Sequence, residues 1–139
     1  MANYITKADI EAIFGVTNVV KWSNLDNDDA QANAARIDSA IAYAESYVDD
    51  KFRQGRYDVP VIGTAGTTPE MVVDMAAKMA GVWLYNTRRI RNREDDEVGQ
   101  VNQGHQDEVD SLLAEYVSGQ RVLPAERSHS FATAPQVVG

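Results

Sequence analysis

TTPEMVVDMAAKMAGVWLYNTRR, residues 67–89, decides the fold. Val72, Met75, Ala76, Met79, Val82, Trp83 and Asn86 recur at steps of three and four, which brings them to one side of a helix with about 3.6 residues per turn. Pro69 suits a first turn, Thr67 or Thr68 can cap it, and Glu70 favours the positive end of the helix dipole. Arg88 and Arg89 suit the negative end. Some 22 residues at about 1.5 Å each make a rod of roughly 33 Å, enough to cross a small domain. A long buried helix is expected here, with the remaining elements packed around it.

Working upstream, residues 30–52 form its expected partner. Ile37, Ile41, Ala44 and Val48 mark an inner stripe, Tyr43 and Tyr47 flank it, and Arg36, Asp38, Glu45 and Asp49 are expected to face water. Gly55 ends this helix, and residues 56–69 connect two antiparallel helices, with Tyr57, Val59, Val61 and Ile62 lying across the core. Nearer the N-terminus, Thr6 and Asp9 have capping-box spacing for a helix over residues 6–14, where Ile10, Ile13 and Phe14 share a face and Gly15 closes the last turn. Residues 16–22 add one further turn with Val19, Val20 and Trp22 inward. The alternating Asp26 and Asp28 resemble a calcium loop, but its sixth and twelfth positions hold Gln31 and Ile37 where Gly and Glu are needed. With Asp29 they read instead as caps for the next helix.

Downstream, residues 98–104 are expected to be mobile. A last helix over residues 106–118 sets Val109, Leu112, Leu113 and Tyr116 against Asp107, Asp110 and Glu115, and Gly119 ends it. The fold class is therefore all-α: a small bundle of about four helices, two of them long and antiparallel. Residues 1–120 make the helical domain. Residues 121–139 make an extended C-terminal arm, whose two prolines and weak periodicity leave it unstructured alone.

The net charge of −8 comes from one region. Residues 94–120 hold Glu94, Asp95, Asp96, Glu97, Asp107, Glu108, Asp110 and Glu115 without a Lys or Arg. A solvated, repelling face is the plain reading, and a surface that must not stick to nucleic acid is the sharper one. Arg88, Arg89, Arg91 and Arg93 could contact phosphate, as in a small DNA-binding regulator, yet the four acids that follow would meet the same duplex. A subunit interface fits these arginines better. The chain has no cysteine, which excludes disulfides and thiol catalysis, and no apolar run of membrane-spanning length, so a soluble protein made in the cytoplasm is expected. Only His105, in an expected loop, and His129 are available as histidine bases, and neither has helix spacing to a second ligand. Neither an enzyme nor a bound metal or cofactor is expected.

Several segments taken together carry a family resemblance. YITKADIEAIFG at residues 4–15, LDNDDA at 25–30, ARIDSAIAYAESYVDDKF at 35–52 followed by Tyr57, Val59 and Pro60, and the Pro-led helix ending in Trp83, Leu84, Tyr85, Arg88 and Arg89 resemble the Mu-like phage head–tail adaptor, or head completion, proteins. The pattern covers residues 4–118; residues 94–104 depart from it and those after 120 have no firm counterpart. The resemblance implies a virion protein of the neck, assembled from the host cytoplasm. It would form a ring of copies, usually twelve, between the portal protein and a tail terminator or stopper protein. Genome DNA would pass through unbound during ejection, and a neighbouring neck or tail-completion protein is the alternative in the same class. In such a ring the arm, with Arg121, Val122, Leu123, Phe131, Val137 and Val138, would dock on the portal or a neighbour. Glu94, Asp95, Asp96 and Glu97 would face the channel, and Arg88, Arg89, Arg91 and Arg93 would lie between subunits.

Overall fold

A computed structural model describes residues 4–24, 32–62, 67–87 and 95–122, the side chains of 95–99 excepted. Five helices are present among these residues: α1 (Lys7–Phe14), α2 (Val16–Ser23), α3 (Ala34–Gln54), α4 (Glu70–Thr87) and α5 (Asp95–Ser118). No strand occurs among them, so the all-α reading stands, with the turn after Gly15 extended into a helix of its own.

The helix expected at residues 67–89 is α4, which at 18 residues is shorter than α3 and α5, and it packs against each of the other four. Val72, Met75, Ala76, Met79 and Val82 are buried as their spacing requires, while Trp83 is half-buried and Asn86 exposed. Burial also extends beyond one side: Ala77, Ala80, Gly81, Leu84 and Tyr85 are enclosed too. Small side chains at 77, 80 and 81 let neighbours approach on those flanks. The ring of Phe14 lies where a Cβ on Gly81 would be. Phe14 is in turn held edge-on by Trp22 at 5.5 Å and His105 at 5.4 Å, which joins α1, α2 and α5 over the same glycine.

Helix α3 runs antiparallel to α4: Arg36, near its start, donates from Nη2 to Thr87 Oγ1 at 2.6 Å, at the end of α4. It runs parallel to α5, since Tyr47 meets Asp110 and Phe52 packs on Tyr116. The start of α3 lies later than the spacing suggests. Asn33 is extended and its Oδ1 accepts the Arg36 N–H at 3.2 Å, so the cap is Asn33; Asp26, Asp28 and Asp29 lie outside the described residues. Ile37, Ile41, Ala44 and Val48 form the inner stripe as read. Gly55 ends the helix and Tyr57 and Val61 cross the core, but Ile62 is exposed, contrary to its expected place in that layer.

Two acids expected to face water do not. Glu45 is buried, and its Oε2 accepts the N–H groups of Tyr4 at 2.7 Å and Ile5 at 3.1 Å. Asp49 accepts a short bond from the Tyr4 hydroxyl, which itself accepts the Val61 N–H at 2.6 Å. One tyrosine thus fastens the N-terminal segment and the 55–62 connection to α3. Burial raises the pKa of Tyr4, and the hydrogen bond to Asp49 adds to it; burial raises that of Asp49 as well, against the lowering effect of the same bond.

The largest departure concerns α5. Residues 98–104, expected to be mobile, continue the helix that begins at Asp95. Val109, Leu113 and Tyr116 are buried and Leu112 half-buried, as the spacing predicts. His105 holds the extra turns down, sitting in the helix with its ring against Phe14 instead of in a loop, while Asn102 is buried with its Nδ2 unpaired among the described residues, a cost those turns carry. Among the described residues no helix is long and apolar enough to cross a membrane.

Candidate assembly surfaces

Residues Arg36, Tyr43, Tyr47 and Lys51 fall on one outer strip of α3, at steps of seven, four and four. The half-buried Trp83 of α4 completes a continuous ladder. The Arg36 guanidinium lies 4.6 Å over Trp83; Trp83 and Tyr43 are 6.1 Å apart, and Tyr43 stacks on Tyr47 at 6.2 Å. Lys51 ends it, 5.7 Å above the Tyr47 ring. Tyr43 is 45 % exposed, so the middle of the ladder is open to a partner. Arg36 Nε is buried without a hydrogen-bond partner among the described residues, and burial lowers its pKa. The Trp83 face stabilises the cation that Nε leaves unsatisfied. At the other end, burial and then the 2.7 Å bond to Asp110 push the Tyr47 pKa up to about 12, so its hydroxyl stays protonated as a donor. In the sequence the two tyrosines read as flanks of the core stripe; the steps of seven, four and four through Arg36, Tyr43, Tyr47 and Lys51 are the pattern that reveals the α3 side of the ladder.

Lys78 joins α4 to α5. It lies 2.8 Å from Asp74 and also pairs with Glu108. Burial works against its charge, but the two carboxylates outweigh it and the pKa rises; the same hydrogen bond lowers that of Glu108.

The residues singled out in the sequence fall as follows. Arg88, Arg89, Arg91, Arg93 and Glu94 lie outside the described residues, as do Leu123, Phe131, Val137 and Val138. Asp95, Asp96 and Glu97 form the first turn of α5. Gly119 takes φ 87 after α5, and the exposed Arg121 returns to it: its N–H donates to Glu115 O at 3.1 Å and its Nε to Glu115 Oε1 at 2.8 Å. Val122 beyond it is 66 % exposed.

An all-α bundle whose conspicuous chemistry lies on its outer faces is the class these observations define. A family model described as bacteriophage Mu, Gp36 matches residues 4–138, and the chain belongs to that family. It is a Mu-like phage protein, which points to phage structure or morphogenesis. No curated protein matches the chain.

Proposed function

We propose that this chain is a structural virion protein, a head–tail connector subunit that forms a ring of copies between the portal and the tail. It acts without catalysis or a cofactor. The match of residues 4–138 to the bacteriophage Mu, Gp36 family carries this reading. The Arg36–Trp83–Tyr43–Tyr47 ladder supports it, because Arg, Trp and Tyr concentrate where interfaces bind most strongly. The arm beginning at Arg121 reaches the portal or a neighbouring subunit, adding contacts that form on assembly. The acidic residues Glu94, Asp95, Asp96 and Glu97 face the channel, where phosphate repulsion lets the genome slide instead of binding.

Negative-stain images of the purified protein with and without its portal test the reading. A ring seated on the portal is the expected result, and a tail-tip or tail-tube location would favour a tail-completion role instead. Deleting the residues after Gln120 should leave a folded chain that no longer joins portals. Neutralising Glu94, Asp95, Asp96 and Glu97 should leave assembly intact and slow ejection; unchanged ejection refutes the channel placement. A regulator acting through Arg88, Arg89, Arg91 and Arg93 would instead bind duplex DNA with an affinity falling steeply with salt.

A further inference from the structure

The cleft between α1 and α4 has a character the bundle itself does not use. Ile13, Met71 and Val73 help line an opening of about 490 Å³, and Asp9, Glu70 and Asp74 stand around it. Met71 is 37 % exposed and the two β-branched residues are half-buried, so an apolar floor is left open. No lysine or arginine is among its described lining residues. Two of the carboxylates are partly engaged, each through Oδ2: Asp9 accepts the Thr6 N–H at 2.8 Å and Asp74 pairs with Lys78 at 2.8 Å. What fits is an apolar side chain flanked by several cations.

The chain contains such a stretch. Arg88, Arg89, Arg91 and Arg93 surround Ile90, immediately after α4 ends at Thr87. It cannot fill the cleft of its own chain. Met71 and Thr87 are sixteen residues apart on one helix, about 24 Å along the axis. The other tether, Asp95, lies at the same far end: α5 runs antiparallel to α4 with Glu108 beside Lys78, so Asp95 is about 20 Å from that level, away from the cleft. The cleft and the two anchor points of residues 88–93, Thr87 and Asp95, thus lie at opposite ends of α4, so the acidic cleft and the basic stretch are able to meet only in two copies.

We propose that the α1–α4 cleft seats residues 88–93 of a second copy of this chain, with Ile90 entering the apolar opening and the arginines facing Asp9, Glu70 and Asp74. The contact is head-to-tail, so each copy keeps one free cleft and one free basic stretch. Repetition closes into a ring when the rotation per subunit allows it. This rests on the assembly reading above and supplies the contact by which copies join.

The chain has no cysteine, so introduced thiols report without background. Full-length Met71→Cys and Ile90→Cys proteins, mixed under mild oxidation, should form a disulfide-linked pair far faster than Met71→Cys mixed with Val101→Cys, a change at an exposed position of α5. The advantage should shrink at about 1 M salt, where charges are screened beyond about 3 Å. Glu70→Arg and Arg91→Glu should each weaken self-association about tenfold, the loss of about 1.4 kcal/mol at a close charge pair, and mixing the two should restore it. Circular dichroism confirms that each variant remains helical. Cross-linking no faster than the control pair overturns the proposal, as does a Met71→Cys/Ile90→Cys chain that closes only on itself. Portal binding is read separately. Portal binding without the cross-link refutes this cleft alone, and the cross-link without portal binding refutes the connector reading alone.

Discussion

The same substitution at two helical glycines should move stability in opposite directions. Replacing Gly by Ala inside a helix ordinarily gains about 1 kcal/mol. At Gly104 in α5 nothing lies within 4 Å of the added Cβ, so the full gain is expected. At Gly81 in α4 the new methyl would overlap the Phe14 ring, and even the farthest of the three nearest ring atoms, Cζ, would be 2.6 Å away. The ring cannot simply slide, because Trp22 and His105 hold it on two further sides. With Cε2 and Cδ2 of the ring closer still to the new methyl, the cost lies above the low end of overpacking and reaches full loss of the phenylalanine's packing, about 2–5 kcal/mol. Less the helical gain, Gly81→Ala should destabilise by roughly 1–4 kcal/mol. With an unfolding entropy of about 2.1 cal/mol/K per residue, 1 kcal/mol corresponds to about 3 °C for a chain of this size. Thermal unfolding followed by circular dichroism should therefore show Gly81→Ala melting at least roughly 3 °C below the parent and Gly104→Ala about 3 °C above it. Adding Phe14→Leu to Gly81→Ala should recover part of the loss, a coupling that a double-mutant cycle measures. A Gly81→Ala protein melting at or above the parent would refute the packing described around Phe14.

Other consequences can be checked with the same assays. Glu45→Ala strips the acceptor from two N–H groups at buried residues and should cost about 2–4 kcal/mol in urea unfolding, whereas Glu45→Gln, which keeps an acceptor, should lose less than half of that; equal losses would mean the acceptor is irrelevant. The raised Asp49 pKa means that its protonated form suits the fold. Its contribution is complete below the ordinary carboxylate value of 3.8 and is lost as pH rises through the higher folded value, so Asp49→Asn should flatten that part of the stability–pH curve; an unchanged curve would refute the assignment. Lys78→Ala removes the tie between α4 and α5, but Glu108 is 52 % exposed, so the loss should stay below about 1 kcal/mol and shrink with salt.

Patterns carried by one helix were legible in the sequence, and contacts between distant segments were not. The inner stripe of α3 and the Val109, Leu113, Tyr116 face of α5 follow from spacing alone. The first half of α5 did not, because Gly99, Gly104 and a run of Gln and Asn give it poor intrinsic helicity. Packing of His105 against Phe14 works against that propensity. Glu45 and Asp49 looked like solvent-facing positions because their partner, Tyr4, stands more than forty residues away in the chain. The aromatic ladder escaped for a related reason: Trp83 comes from a different helix, and only the antiparallel pairing of α3 with α4 brings it beside Tyr43.

That α4 touches all four of its companions governs how the molecule comes apart. Removing any one of them exposes apolar surface on the same rod, so no piece can detach cheaply while the rest persists. Backbone amides in the middle of α4 should therefore trade their protons for deuterium only when the whole domain opens. A domain of this kind meets mechanical load as one body, keeping the geometry of its outer faces until it fails all at once.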